Sequence, residues 1–141
     1  MINFNVVRQN GHSASTAILE KDALTTDIVQ GQFCAIDAAT GLAIKAVAAS
    51  TQIALVMSVV DDTHVMVLAD PTAVIEGTAD AAFAKTMRNT EVDIAIDGGG
   101  NQTIDVGAST TDVLKVLATE DAGTVGSVEK VKVIVNKPLS L

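Results

Sequence analysis

The chain has 141 residues, a formal net charge of −8 and a pI near 4.4, a length suited to one domain with a core of its own. Nine Lys and Arg are scattered against 17 Asp and Glu, which excludes the clustered cations that phosphate recognition requires, so no nucleic-acid partner is expected. Only 2% of residues are aromatic, all of them Phe, which argues against stacking surfaces for sugars or single strands.

Residues 1–8 alternate, with Ile2, Phe4 and Val6 on one side and Asn3, Asn5 and Val7 on the other, the pattern of a short strand ending at Arg8. Gln9–Ser15 is polar and contains Gly, and reads as a flexible connection. Residues 1–15 therefore form an N-terminal arm and residues 16–141 a single β-rich domain. A terminal strand on such a leash suits addition to the edge of another protein's sheet. It suits pairing within its own domain equally well, and the sequence leaves both open. The opening residues lack a basic stretch followed by an apolar one, so they do not read as a signal peptide.

From Thr26 onward the pattern is antiparallel. Ile28, Gln30, Gln32, Cys34 and Ile36 fall on one face of an extended segment, and Asp37–Gly41 turns it back into Leu42–Ala46. Ile53–Val60 and Val65–Leu68 flank Asp61-Asp62-Thr63-His64 as a second hairpin. Both faces of Ala54–Val60 are largely apolar, which implies burial on both sides or cover from another subunit. Asp70-Pro71 ends that hairpin, and Val74 and Ile75 make a short strand stopped at Gly77.

Asp80–Arg88 carries the helical signal: Asp80 as a cap, Ala81, Ala82 and Ala84 as good formers, and Phe83 and Met87 four apart. Glu91–Ile96 and Gln102–Val106 flank Asp97-Gly98-Gly99-Gly100-Asn101, the strongest turn signal of the chain. In Val128–Asn136, Val131, Val133 and Val135 face inward while Lys130, Lys132 and Ile134 face out, which suits a solvated or protected edge strand. The fold class is therefore mainly β, with one short helix over residues 80–88. No run of about 18 apolar residues occurs, so no membrane span is expected. Mean hydropathy of +0.40 with 18% charged residues points to apolar surface covered by further copies or a partner; the alternative is an Ala-rich core with small exposed methyls.

Candidate chemistry is sparse. Cys34 is the single cysteine and reads as a small buried hydrophobe, since a nucleophile needs a base and both His12 and His64 lie in loops. Asp61, Asp62, His64 and Asp70 form the densest polar cluster; a divalent cation could use such residues, but a hairpin turn needs the same types and is the favoured reading. The triple Gly lacks the Lys-Ser/Thr and the helix of a phosphate loop. No catalytic, metal or cofactor residues are assigned.

The stretches FCAIDAATGLAIKAVAA, IALVMSVVDDTHVMVLAD and the IEGTA after Pro71, followed by the tail from Asn101 to Asn136, resemble the small head-decoration proteins of tailed bacteriophages and their longer relatives. The resemblance implies a compact antiparallel β-barrel or β-tulip and a non-enzymatic homotrimer on the outer surface of a mature capsid. It further implies that an extended N-terminal arm adds to a sheet of the major capsid protein through Ile2, Asn3, Phe4, Asn5, Val6, Val7 and Arg8. A tail or other virion component is the alternative, and a trimeric all-β nucleotide hydrolase is disfavoured by the lack of Tyr and Trp.

Overall fold

The computed structural model describes residues 3–8 and 15–141. Its strands are β1 (Asn5–Arg8), β2 (Thr16–Glu20), β3 (Phe33–Ile36), β4 (Ala43–Lys45), β5 (Ala54–Asp61), β6 (His64–Leu68), β7 (Val74–Gly77), β8 (Glu91–Ile96), β9 (Gln102–Asp105), β10 (Leu114–Val116) and β11 (Val131–Val135). They make a six-stranded sheet in the order β1-β7-β11-β10-β8-β9 and a five-stranded sheet in the order β2-β6-β5-β3-β4. Neighbouring strands pair antiparallel throughout. Two 3-10 turns, Lys85–Met87 and Glu120–Ala122, are the helical elements among the described residues.

The hairpins form where the turn chemistry demands them. Between β3 and β4, Gly41 takes φ 72° and its N–H bonds the Asp37 carbonyl at 2.7 Å, while Asp37 Oδ1 accepts the Ala39 N–H. Between β8 and β9, Asp97 Oδ1 accepts the N–H groups of Gly99 and Asn101, both at 2.9 Å, and Gly100 adopts φ 80°. Asx turns of this kind satisfy donors that the ladder leaves free. At the tip of β5 and β6, Asp61 Oδ1 accepts from the Thr63 N–H at 2.8 Å and lies 2.9 Å from His64 Nδ1. The acidic tetrad is thus used as a turn.

One buried cluster spans both sheets. Ile75, Ile94, Leu114, Val131 and Val133 come from the larger sheet, and Phe33, Ala35, Leu55 and Leu68 from the smaller. A second cluster holds Cys34, Ala54, Val56, Val65 and Val67 under Ile28 and Leu139. The first part of β5 is therefore buried on both faces, as its double apolar pattern requires.

Three expectations are corrected. The helix over residues 80–88 shrinks to the turn Lys85–Met87, because the segment's backbone is committed elsewhere. The Asp80 N–H bonds the Ile104 carbonyl at 2.9 Å, the Phe83 N–H bonds the Ser127 carbonyl at 2.8 Å, and Asp80 Oδ1 accepts the Val106 N–H. Packing Phe83 and bracing β9 overrides alanine propensity. The extended segment through Ile28 begins only at Phe33, since Gly31 sits at φ 82°. Finally, β11 is not an edge strand: it lies between β7 and β10, and Lys132 marks the outward face of an interior strand.

Candidate functional site at the open seam

Each edge strand of the larger sheet is tied to the smaller one, but by different means. At β9 the tie is a side chain. Gln102 is fully buried, donates Nε2 to the carbonyls of Phe33 and Ala46 at 2.9 Å, and accepts the Phe33 N–H on Oε1 at 2.6 Å. Its carboxamide stands in for a strand partner and leaves the backbone of Phe33 satisfied.

At β1 the tie is one residue of backbone. The Phe4 N–H bonds the Gly31 carbonyl at 2.7 Å, and the Gly31 N–H bonds the Val56 carbonyl at 2.9 Å. Gly31 thus joins β1 to β5 at a single point, and it must be glycine: besides the positive φ, a Cβ there would lie 2.8 Å from the Asn3 Cβ. Beyond it the strands part. Among the described residues β1 pairs only with β7, and Met57–Asp61 of β5 pair only with β6. Between the two edges runs a groove of about 280 Å3, lined by Asn3, Phe4, Asn5, Val6, Gln30, Gly31, Leu55, Val56 and Met57, none of them charged.

Of the seven residues that the resemblance implies for capsid binding, Asn3, Phe4, Asn5 and Val6 line this groove, Val7 and Arg8 do not, and Ile2 lies outside the described residues. Phe4 is 2% exposed and tilts against Phe33 with ring centroids 4.6 Å apart. Val6 is half-buried against the core, Asn3, Asn5 and Val7 are exposed, and Arg8 ends the strand. Of the two uses that the sequence left open for this strand, the described residues make the internal pairing, with Asn5 opposite Glu76 and Val6 opposite Ile75. What β1 offers outward is its second backbone edge, because the Phe4 ring is already used inside.

The opposite wall of the groove belongs to a ribbon of β2, β6 and β5. Ile18, Val59 and Val60 on it are 52%, 46% and 51% exposed. Its tip is anchored by Lys21, which is 6% exposed and donates Nζ to the carbonyls of Thr25 at 2.9 Å and Asp62 at 2.6 Å. Those carbonyls compensate a buried ammonium that would otherwise be costly. The carboxylates of Asp61 and Asp62 remain exposed beside it.

Elsewhere the shifted titratable groups answer to their local surroundings. Burial pushes the Cys34 thiol up to about 12, far from a reactive thiolate. Asp93 is buried, which raises its pKa, yet N–H groups of Asp112, Thr110 and Thr111 at 2.8 to 3.0 Å outweigh that and hold it below the ordinary carboxylate value. Burial, followed by the Asp80 charge, raises Asp105. Among the described residues no three His, Cys, Asp or Glu side chains converge as metal ligands. Neither the family models, nor the curated proteins, nor the solved structures compared with this chain give a match.

Sequence reasoning missed Gly31, Gln102, Lys21 and Asp93. A glycine inside an apparent strand does signal close backbone approach, and that was the available clue for Gly31. The other three are ordinary polar residues whose role depends on partners remote in sequence.

Proposed function

We propose that this chain is a non-enzymatic virion protein that binds the outer surface of a mature phage capsid as a homotrimer and stabilises the shell. The sequence resemblance to head-decoration proteins motivates the reading, and the open outer edge of β1 carries it. Phe4 anchors the strand in the core, so the edge is presented rigidly, and a partner strand gains main-chain hydrogen bonds without a large ordering cost. In this reading the N-terminal segment joins a sheet of the major capsid protein, by accepting its strand beside β1. The exposed Ile18, Val59 and Val60 supply apolar surface for contact with further copies. A trimer multiplies weak edge contacts by raising the effective concentration of each, and the acidic surface suits a position away from packaged DNA. A closed β-barrel or β-tulip belongs to this reading; the described residues form two antiparallel sheets.

The test is co-sedimentation of the purified chain with mature and immature phage shells. The intact chain is expected to pellet with mature shells. A double variant, Asn5→Lys with Val7→Lys, charges the edge through two exposed side chains while leaving Phe4 in place; its affinity is expected to fall at least tenfold. Wild-type retention of the variant overturns the role of the edge, and failure of the intact chain to bind any shell overturns the function.

A further inference from the structure

One large apolar side chain stands well outside the packed fold. Leu24 is 89% exposed, more than any other large hydrophobic among the described residues. It sits in the turn at residues 22–25, where local turn chemistry favours polar side chains. Single exposed leucines are common on protein surfaces, but this one is held in place. Asp22 Oδ1 accepts the Leu24 N–H at 2.9 Å, and the Asp22 carbonyl accepts the Thr25 N–H at 3.0 Å. The buried Lys21 ammonium ties this turn to the tip of the β5–β6 hairpin, since it donates to the carbonyls of both Thr25 and Asp62. The Lys21 N–H adds a bond to the Thr63 carbonyl at 2.8 Å. Two turns from separate parts of the chain are thus locked side by side around one buried cation, with Leu24 at the surface of the joint.

Charge selects what can cover Leu24. Glu20, Asp22, Asp61 and Asp62 belong to the two joined turns and the strand ends beside them, and all four are exposed. The basic side chains of the same elements are engaged, Lys21 Nζ on backbone carbonyls and His64 Nδ1 with Asp61 Oδ1 at 2.9 Å. An apolar anchor with an acidic rim repels phosphate, so a nucleic acid or an anionic bilayer does not fit it. It is complementary to a protein surface whose apolar pocket carries Lys or Arg at its rim. A turn already fixed by its own hydrogen bonds loses little freedom on binding, so burial of the leucine is not offset by an ordering cost.

We propose that Leu24 is a docking knob that enters an apolar, Lys- or Arg-rimmed pocket on a folded shell protein, with the carboxylates of Asp22, Asp61 and Asp62 facing that rim. This rests on the reading of the chain as a capsid-binding protein and gives it a contact separate from the β1 edge, because Leu24 does not line the groove there. Co-sedimentation of the full chain with mature shells across a range of salt concentrations tests it, each variant first shown to be folded by circular dichroism. Leu24→Ser alters an exposed side chain and is expected to weaken shell binding at least tenfold. Val125→Ser removes another exposed apolar side chain, 56% accessible, and is expected to bind like the parent. Asp62→Lys keeps the carbonyl that Lys21 uses; it is expected to bind about tenfold more weakly at low salt and to approach the parent at high salt.

Parent-like binding by Leu24→Ser overturns the knob and leaves the capsid role standing, whereas absence of shell binding by the intact chain overturns both. Equal losses in Leu24→Ser and Val125→Ser trace the effect to general surface hydrophobicity and overturn the knob. Sedimentation velocity without shells separates the remaining occupant: Leu24→Ser is expected to self-associate like the parent. Loss of self-association in that variant assigns the knob to a second copy and overturns the partner. An Asp62→Lys deficit that is absent, or that persists at high salt, overturns the basic rim.

Discussion

Gly77 lies directly against the ring of Phe4, so closely that a Cβ there would stand inside the ring's van der Waals surface. The seating of β1 therefore depends on a missing methyl group in β7. Gly77→Ala is expected to force Phe4 out or shift β7, at a cost of about 1–3 kcal/mol, the usual range for overpacking. Chemical denaturation followed by circular dichroism measures it. Combining the change with Phe4→Leu is expected to cost less than the sum of the single changes, because the two residues share one space.

Gln102 makes the parallel case at the other edge. Replacing it with Leu keeps the volume but leaves the Phe33 N–H and the Ala46 carbonyl without the partners that Gln102 gives them. Each such buried group costs about 1–3 kcal/mol. The expected loss in urea denaturation is therefore larger than for a typical exposed Gln→Leu change, and faster exchange at residues 33–36 is expected to accompany it.

The two shifted aspartates predict opposite effects of acid. Asp105, raised by burial and by the Asp80 charge, costs stability when ionised; the cost is relieved as pH falls through its folded value and is gone below the unfolded value of about 3.9. Asp105→Asn is accordingly expected to stabilise the chain at neutral pH and to lose that advantage in acid. Asp93 remains below the ordinary value despite burial, because the N–H groups of Asp112, Thr110 and Thr111 outweigh it. Its contribution is present above about pH 4 and disappears as pH falls through the folded value. Asp93→Asn is expected to destabilise at neutral pH and to approach the parent only in strong acid. Thermal melts across pH separate the two.

Local chemistry explains which parts of this fold the sequence displays. Asp37 with Gly41, and Asp97 with Gly100, form their turns with residues at most four positions away, so the hairpins are readable from spacing. Strand β8 follows the expected alternation in burying Val92 and Ile94, but Asp93 between them is buried too, which the pattern does not display. The segment after Asp80 misleads because its hydrogen bonds go to Ile104 and Ser127, and no local propensity encodes that. Likewise Lys132 looks like edge protection until its strand is seen between two others; a lysine marks the wet face of an interior strand as readily as an edge. The N-terminal strand is legible as a strand, but its neighbours are not, since Gly31 and Ile75 lie far along the chain.

On the function proposed, the chain lends a rigid strand edge to a capsid. Cryo-electron microscopy of mature phage shells incubated with the purified chain tests it most directly. The expected map has added trimers on the outer surface, each with a shell-protein strand continuous with the edge at Asn5–Arg8. Bare shells, or trimers seated with that edge facing solvent, would contradict it.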